Sequence, residues 1–285
     1  MIKMFVSDLD GTLLNIRHAT DDRIISCIKN VIQEGYEFSV ATGRNIEGIR
    51  RNKELWELPI YIVSMNGALV LDKERNVIFQ KPIDSSVVDM IYETFPNQFF
   101  EYITAEKIMV NFSKEAQIKA FTERAEFKNM IANKFSIEEL DSFMEQYVFD
   151  STKEEILEST ILKINCSEED EEKYKEIDAY LESLGDRVVN APFEASFFEV
   201  TDKSVNKAKG LEKLLGICNL SKSEVAVFGD GGNDIEMLKT FSNSFAMGNA
   251  TDAAKQAASV VIKTNEEYGV MEVMESIILS QAVQA

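Results

Sequence analysis

Two carboxylates stand one residue apart near the start of the chain, in the stretch "VSDLDGTLL". Asp8 and Asp10 follow the apolar residues Met4, Phe5 and Val6, a pattern typical of a buried strand that ends at a polar turn. Two like charges at this spacing raise each other's pKa unless a positive group lies between them. The pair therefore either flanks a solvated turn or holds a cation.

Further polar groups follow two other predicted strands. The strand "EFSVA" ends at "TGR", and the strand "VAVF" ends at "GDGGND". In an open parallel sheet, ligands bind beyond the carboxyl ends of the strands, so these groups are expected at one edge with the two aspartates. The stretch "VNKAKG", one helix before the last of these strands, adds two lysines. The further candidates are Thr42, Gly43, Arg44, Lys207, Lys209, Asp230, Asn233 and Asp234.

Each of these patterns is weak when it is taken alone. Asp-Gly is a common turn pair, so "DGT" could be an ordinary turn. "GDGGND" could be a Ca²⁺ loop, but an EF-hand needs further acidic ligands and a closing Glu at fixed offsets, which this stretch lacks. A lysine such as Lys207 usually lies on the surface. Together, and in this order, the patterns are specific.

The chain has a single histidine, His18, which excludes many mechanisms. A Ser-His-Asp or Cys-His hydrolase, or a zinc site with several histidines, would depend on this one residue. His18 lies in the polar stretch "NIRHATDD", and we expect it to be a solvated loop residue. The chemistry must therefore use carboxylates, hydroxyls, lysine and oxygen-bound metal.

The order of predicted elements indicates where these groups are held. Strands and helices alternate in the first part of the chain and again from about residue 224, which predicts a Rossmann-like doubly wound parallel sheet. The middle contains runs of strands and helices, which predict an inserted α+β domain with an antiparallel sheet and helices on one face. We place the core at 1–81 and 198–285 and the insertion at 82–197. Three aromatic residues near its end are candidate substrate contacts or core residues: Phe193, Phe197 and Phe198.

Composition restricts the partners and the compartment. The 285 residues carry a net charge of −19, which argues against nucleic-acid or anionic-membrane partners because these need basic patches. No stretch approaches the ~20 apolar residues of a membrane span, and the N-terminus has no signal-peptide pattern. Three widely spaced cysteines form no disulfide framework and no metal-ligand spacing. We therefore expect a cytoplasmic protein.

The combined motifs resemble those of the haloacid-dehalogenase-like (HAD) hydrolases. The first motif, hydrophobic-DxDGT, matches Asp8–Thr12, and the fourth, GDGxND, matches Gly229–Asp234. Thr42 matches the second motif and Lys207 the third, although "KAKG" leaves Lys209 as an alternative because many relatives have Lys directly before Gly. The insertion, together with "SMNGAL" and "AMGNA", resembles the Cof-like sugar-phosphatase group with a type IIB cap.

The resemblance implies a Mg²⁺-dependent phosphatase. It assigns the metal to the side chains of Asp8 and Asp230 and to the backbone carbonyl of Asp10, with Asp234 orienting Lys207 or metal-bound water. Asp8 would be the nucleophile and Asp10 the general acid and base. Thr42 and Lys207 would be catalytic by holding the phosphoryl oxygens. The remaining expected contacts to phosphate or substrate are Leu9, Gly11, Gly43, Arg44 and Asn233.

Two alternatives to a phosphatase stay open at this point. The same residues could bind a phosphorylated metabolite without turnover, although such a protein would be expected to lose Asp8 or Asp10, and both are present. A phosphohexomutase would have to retain its phosphorylated product, and no sequence feature indicates this. We expect a small phosphorylated metabolite, a sugar phosphate foremost, as substrate, and a monomer or weak dimer.

Overall fold

The chain divides into two compact units in a computed structural model that describes residues 1–123, 144–191 and 196–283. The first unit contains Met1–Lys81 and Val205–Ala285, and the second contains Pro82–Ser204. The predicted insertion, 82–197, ends earlier than the second unit because the strand Phe197–Asp202 pairs with Lys163–Ser167 inside that unit. A domain boundary after residue 197 would fall inside this strand and separate most of it from the sheet to which it belongs.

The first unit is built on an eight-stranded sheet of order β14-β13-β12-β1-β2-β3-β4-β5. The pairs from β14 to β3 are parallel, and β3–β4 and β4–β5 are antiparallel. From the central strand β1 the chain first adds β2 and β3 on one side, and it later adds β12, β13 and β14 on the other side. This is the doubly wound arrangement predicted from the sequence. The strands are β1 Met4–Ser7, β2 Glu37–Ala41, β3 Tyr61–Ser64, β4 Leu69–Leu71, β5 Val77–Gln80, β12 Val225–Gly229, β13 Asn243–Ala246 and β14 Val260–Val261.

Helices of this unit connect the parallel strands. Asp21 begins the first one, since its carboxylate accepts hydrogen bonds from the backbone N–H groups of Arg23 and Ile24. The helices are α1 Asp22–Gln33, α2 Ile46–Arg50, α3 Lys53–Glu57, α8 Lys207–Cys218, α9 Ile235–Thr240, α10 Asp252–Ala257 and α11 Gly269–Ala282.

Two glycines allow α8 to approach the turn that follows β3. A Cβ on Gly210 would lie 2.7 Å from the Gly67 Cα and 2.7 Å from the Val63 Cγ1. A Cβ on Gly67 would overlap the backbone carbonyl of Asn206, and Gly67 has a φ of 94°, in the region that favours glycine. This close contact sets the position of the α8 N-terminus, where Lys207 lies.

The second unit contains a six-stranded sheet of order β10-β11-β9-β6-β7-β8, in which every pair except the parallel pair β7–β8 is antiparallel. Its apolar core joins side chains of three helices, Val88, Ile156 and Ile177 among them, to the buried strand residues Ile164 and Phe198. The strands are β6 Glu101–Ile103, β7 Ile108–Met109, β8 Tyr147–Val148, β9 Lys163–Ser167, β10 Val188–Asn190 and β11 Phe197–Asp202. The helices are α4 Ser85–Thr94, α5 Lys114–Glu123, α6 Lys153–Glu158 and α7 Glu171–Ser183.

Of the three aromatic candidates in this unit, Phe198 is buried in its core and Phe197 is half-buried on β11. Phe193 lies outside the described residues. Within the described parts of the chain, no helix has the length and apolar character needed to cross a bilayer.

Candidate active site

Three neighbouring strands end at the same edge of the first unit's sheet. Asp8 follows β1, Thr42 follows β2 and Asp230 follows β12, and β1 pairs in parallel with both other strands. Parallel neighbours present their carboxyl ends together, and ligands bind there. The structure thus brings together the polar groups that the sequence placed after separate strands.

The turn after β1 is wide and tightly bonded. Its two hydrogen bonds span five residues, from Leu13 N–H to the Asp8 carbonyl at 3.2 Å and from Leu14 N–H to the Leu9 carbonyl at 2.9 Å. Gly11 has a φ of 75°, and a Cβ there would overlap the carboxylate of Asp230. A side chain at position 11 would therefore displace the neighbouring acid. The side chain of Leu9 is buried, so its expected contact with phosphate would have to be made by its backbone.

Three carboxylates form an acidic cluster: Asp8, Asp230 and Asp234 each offer one oxygen within 4.8 Å of the others. Burial raises the pKa of Asp8 well above its usual value, and the charges of Asp234 and Asp230 add to this effect against the opposing charge of Lys207. Burial, together with the charge of Asp234, raises the pKa of Asp230 to about 6 even though Thr12 donates a hydrogen bond to it. Both groups would be stabilised as anions by a cation beside them.

Lys207 supplies one positive charge to this cluster. Its Nζ lies 2.6 Å from Asp8 Oδ1 and 2.7 Å from Asp234 Oδ1, and only 1% of the side chain is exposed. Burial lowers the pKa of Lys207, but the charges of Asp234 and Asp8 raise it by more. The side chain therefore remains an ammonium. Lys209, the alternative from the sequence, is 58% exposed and pairs with Glu212 at 3.3 Å. The geometry therefore favours Lys207 as the site lysine.

Asp234 organises the loop after β12. Its Oδ2 accepts hydrogen bonds from the backbone N–H groups of Asp230 at 3.0 Å and Gly231 at 2.9 Å, while Oδ1 accepts from Lys207. Both of its oxygens are thus engaged by protein donors, which leaves Asp8 and Asp230 as the better ligands for a metal. This arrangement agrees with the orienting role expected for Asp234.

A hard divalent cation such as Mg²⁺ fits this donor set. The cluster offers carboxylate oxygens only, two of its acids have raised pKa values, and its lysine pairs with two of the three carboxylates. Among the described residues, this is the only cluster of three or more acidic, histidine or cysteine ligands that could hold a metal ion. The backbone carbonyl of Asp10 remains a predicted third ligand.

The side chain of Asp10 points to partners that the sequence did not indicate. Arg44 donates from Nη2 to Oδ1 at 2.5 Å and from Nε to Oδ2 at 2.7 Å, and the imidazole Nδ1 of His18 lies 2.8 Å from Oδ1. Burial raises the pKa of Asp10, but the hydrogen bonds from Arg44 and His18 lower it by more, so that the pKa lies below its ordinary value. The carboxylate is thus held as an anion, the form that accepts a proton.

This geometry changes two expectations from the sequence. His18 is exposed, as expected of a loop residue, but it is not merely solvated, because it is bonded to Asp10. The guanidinium of Arg44 is bonded to Asp10 and, through Nη1, to the Gly48 carbonyl at 2.9 Å, so its observed partners are protein groups. Its expected contact with phosphate remains a prediction. No local sequence pattern indicates either contact, because His18 lies 8 residues and Arg44 34 residues from Asp10 along the chain.

The other predicted contacts lie on neighbouring loops. Thr42 is buried, and its hydroxyl accepts the Arg44 N–H at 3.1 Å across Gly43. Asn233 donates from Nδ2 to the side-chain oxygen of Asn66 at 3.1 Å. No sequence motif gave Asn66 a role, although "SMNG" follows β3 at the same edge of the sheet, a position that could have identified it.

Asn66 belongs to a turn of three successive residues with positive φ: Met65 at 50°, Asn66 at 53° and Gly67 at 94°. Non-glycine residues rarely adopt this conformation, and they keep it where the surrounding structure requires it, commonly at functional sites. Here Asn66 N–H donates to the Thr42 carbonyl at 3.0 Å, and Met65 N–H donates to the Arg44 carbonyl at 3.1 Å. The turn thereby ties the loop after β3 to the loop after β2.

Comparison with known proteins identifies relatives along the whole chain. Phosphatase YwpJ from Bacillus subtilis is 25% identical over 97% of this chain and 100% of its own length. The 5-amino-6-(5-phospho-D-ribitylamino)uracil phosphatase YitU from the same organism is 27% identical over 92% of this chain and 93% of its own. The crystal structure of TM0651 from Thermotoga maritima superposes with a TM-score of 0.80 at 25% identity and covers 97% of both chains.

A family model described as haloacid dehalogenase-like hydrolase matches residues 5–274. The match includes all four groups of residues that the structure brings together after β1, β2 and β12 and at the start of α8. The resemblance noted from short motifs thus extends over most of the chain, and we conclude that this protein belongs to the haloacid dehalogenase-like hydrolases and is an enzyme of the phosphatase kind.

Proposed function

We propose that the protein is a Mg²⁺-dependent phosphatase that hydrolyses a small phosphorylated metabolite, a sugar phosphate foremost, through an aspartyl-phosphate at Asp8. The observation that carries this proposal is the position of Asp8, a buried carboxylate at a strand end with Lys207 at 2.6 Å and Asp230 beside it. Asp10 lies in the same turn, and its carboxylate is hydrogen-bonded to Arg44 and His18. This arrangement supports the proposal that Asp8 attacks phosphorus and that Asp10 transfers protons.

Asp8 and Asp230, with the backbone carbonyl of Asp10, would hold the Mg²⁺ ion. When bound, the ion would supply positive charge that screens Asp8 from an anionic phosphate and stabilises charge on the phosphoryl group. Asp234 keeps Asp230 in place through the N–H groups of the loop, and Lys207 keeps Asp8 oriented.

In the first step, an oxygen of Asp8 bonds to phosphorus while the bond from phosphorus to the leaving alkoxide breaks. Asp10 must carry a proton at this point, although Arg44 and His18 lower its pKa, and it gives that proton to the alkoxide. In the second step, water attacks phosphorus, Asp10 takes a proton from that water, and the bond between phosphorus and Asp8 breaks. Asp10 thereby regains the proton it needs for the next turnover. Thr42 and Lys207 hold the phosphoryl oxygens during both steps.

The proposed substrate class is supported by the names of relatives. Two relatives are named for a phosphorylated ribitylamino compound, which is compatible with a hydroxyl-rich phosphate monoester. We further propose that the second unit is the type IIB cap and that the protein acts in the cytoplasm, the compartment expected from its cysteine usage. The alternatives of a mutase and of a binding protein without turnover have no specific observation in their favour.

The experiment is a phosphatase screen with metal control. Purified protein is tested on a nitrophenyl phosphate and on a panel of sugar phosphates, nucleotides, pyridoxal phosphate and flavin mononucleotide. We expect release of inorganic phosphate that requires Mg²⁺ and is suppressed by Ca²⁺, whose looser coordination would engage both oxygens of Asp8. Full activity in EDTA would contradict the metal assignment. Isomerised hexose phosphate without free phosphate would indicate a mutase.

A further inference from the structure

His18 makes a contact that the proposed mechanism has not yet used. It is the only histidine in the chain, and its Nδ1 lies 2.8 Å from Asp10 Oδ1 although 67% of the side chain is exposed. An exposed imidazole is not fixed by burial, so the contact depends on the loop that carries it. The structure of this loop shows whether the contact is incidental or built.

The loop from Asn15 to Ala19 is closed by its own hydrogen bonds. Asn15 N–H donates to the Ala19 carbonyl at 3.1 Å, and His18 N–H donates to the Asn15 carbonyl at 2.8 Å. The side-chain oxygen of Asn15 also accepts from the N–H groups of Arg17 at 3.0 Å and Ala19 at 3.3 Å. Within this frame His18 has a φ of 56°, a conformation that a residue with a Cβ rarely adopts. These hydrogen bonds fix the backbone that carries the imidazole.

Both ends of the loop are fixed to the rest of the first unit. Asn265 donates from Nδ2 to the Leu14 carbonyl at 2.8 Å, before the loop. Thr20 N–H donates to the side-chain oxygen of Asn52 at 3.2 Å, after it. The position of His18 is therefore set by the same unit that holds Asp10, and the strained backbone is maintained by its surroundings.

Three donors converge on the carboxylate of Asp10. Oδ1 receives Arg44 Nη2 and His18 Nδ1, whereas Oδ2 receives only Arg44 Nε. Because Arg44 already pairs with this carboxylate as an anion, the imidazole Nδ1–H is the donor in the contact with His18. Oδ2 is the oxygen with fewer partners and therefore the one better able to exchange a proton with a substrate.

We propose that His18 is a positioning residue for the reaction: with Arg44 it fixes the plane of the Asp10 carboxylate and occupies Oδ1, so that Oδ2 exchanges protons with the leaving oxygen and with the attacking water. This inference rests on the proposed function of Asp10. The proton transfers are unchanged, from Asp10 Oδ2 to the leaving alkoxide and from water back to Oδ2. His18 itself touches no reacting atom.

A double-mutant cycle tests the proposal kinetically. His18→Leu should lower both kcat on an alkyl phosphate and the rate of phosphoenzyme hydrolysis about tenfold, within the usual coupling between contacting residues, with little change in KM. His18→Asn, whose amide nitrogen lies near the position of Nδ1, should restore most of that loss. Arg17→Leu, in the same loop, is the matched control and should retain the wild-type kcat. In the Asp10→Asn background, His18→Leu should cause no further loss in the rate of phosphoenzyme hydrolysis.

The outcomes are decisive in both directions. An equal loss in the two backgrounds, or no loss from His18→Leu, would overturn the proposal, because the residue would then act independently of Asp10. Absence of turnover on any phosphate ester in the wild-type protein would instead contradict the proposed function.

A measurement without activity keeps the inference testable in that case. The untagged protein has one imidazole, so its ¹⁵N resonances are unambiguous. We expect the proton on Nδ1 in the wild type and a changed tautomer balance in Asp10→Asn, where the acceptor is weakened. Imidazole resonances that do not respond to Asp10→Asn would show that the contact is absent in solution.

Discussion

At the scale of single residues, one ammonium balances two of three clustered carboxylates. Lys207 bonds to Asp8 and Asp234, and Asp234 in turn accepts two backbone N–H groups. The third acid, Asp230, has a hydroxyl donor in Thr12 at 2.7 Å. Asp234 therefore organises the cluster, whereas a bound cation would stabilise Asp8 and Asp230 as anions.

Lys207→Met tests the role of this ammonium. Removing it should lower kcat about 10²–10³-fold, the usual cost of losing one donor to the developing charge. The free energy of unfolding without metal should fall by about 3 kcal/mol, because Asp8 and Asp234 lose their buried cation. Lys209→Met, on the exposed side of the same helix, is the control and should change neither quantity. Equal effects of both variants would contradict the assignment of Lys207.

Mg²⁺ affinity should depend on pH because the acids of the cluster bind protons in competition with the metal. The pKa of Asp230 is raised from 3.8 to about 6 in the folded protein, so below about 6 the folded state retains a proton that Mg²⁺ must displace. Affinity measured by titration calorimetry should therefore fall as the pH decreases through about 6.

The same shift affects the metal-free protein with a definite sign. Because the folded state binds the proton more tightly than the unfolded state, this group contributes its full stability below about pH 3.8 and loses that contribution as the pH rises to about 6. Added Mg²⁺ should remove this loss. Metal affinity that is constant across this range would contradict the account.

At the scale of elements, the contact between α8 and the turn after β3 decides how far Lys207 reaches into the site. Gly67 and Gly210 approach each other more closely than any residue with a Cβ could. The same turn carries Asn66, which bonds to Asn233 on the loop after β12. Two glycines, one next to Asn66 and one a helical turn after Lys207, thus determine the positions of the lysine and of one expected phosphate contact.

Gly210→Ala tests this contact. The added Cβ would lie 2.7 Å from Gly67 Cα, so α8 must shift, and we expect the unfolding free energy to fall by about 1–3 kcal/mol together with a loss of kcat. Gly216→Ala, on the same helix with no atom within 4 Å of the new Cβ, should instead stabilise the protein by about 0.5–1 kcal/mol and leave kcat unchanged. Denaturant unfolding and steady-state kinetics measure both quantities. An undisturbed Gly210→Ala protein would contradict the argument.

The sequence predicted the elements better than the contacts between them. Apolar runs followed by Asp8, Thr42 and Asp230 indicated the strand ends, because alternation and burial leave a local pattern. The bond from Arg44 to Asp10 joins residues 34 positions apart, and no local pattern encodes it. The choice between Lys207 and Lys209 also required the structure, since only the direction of α8 shows which lysine is buried.

At the scale of the whole molecule, a net charge of −19 opposes an anionic substrate. The opposing field acts over distances that salt screens, about 8–10 Å at physiological ionic strength, whereas the contacts of a bound phosphate are much shorter. Local cations therefore hold the phosphate, and the overall charge acts mainly on its approach.

Raising the ionic strength from low salt to about 0.15 M should accordingly increase kcat/KM for a phosphate monoester while kcat changes little. Steady-state kinetics at several NaCl concentrations, with Mg²⁺ held constant, provide the measurement. A thermal unfolding scan at each concentration controls for changes in stability. A steady decrease in kcat/KM with salt would show that attraction, not repulsion, governs the approach.

The central claim is that Asp8 forms a covalent bond with phosphorus and that Asp10 transfers protons. The most direct test is rapid acid quenching of the Asp10→Asn variant with nitrophenyl phosphate and Mg²⁺, followed by peptide mapping. A good leaving group needs little protonation, whereas hydrolysis of the intermediate should be slowed about 10²–10⁴-fold without the base. We expect a burst of nitrophenol and one phosphoryl group on the peptide that contains Asp8, with neither in Asp8→Asn. A phosphoryl group on another residue, or one that persists in Asp8→Asn, would contradict it.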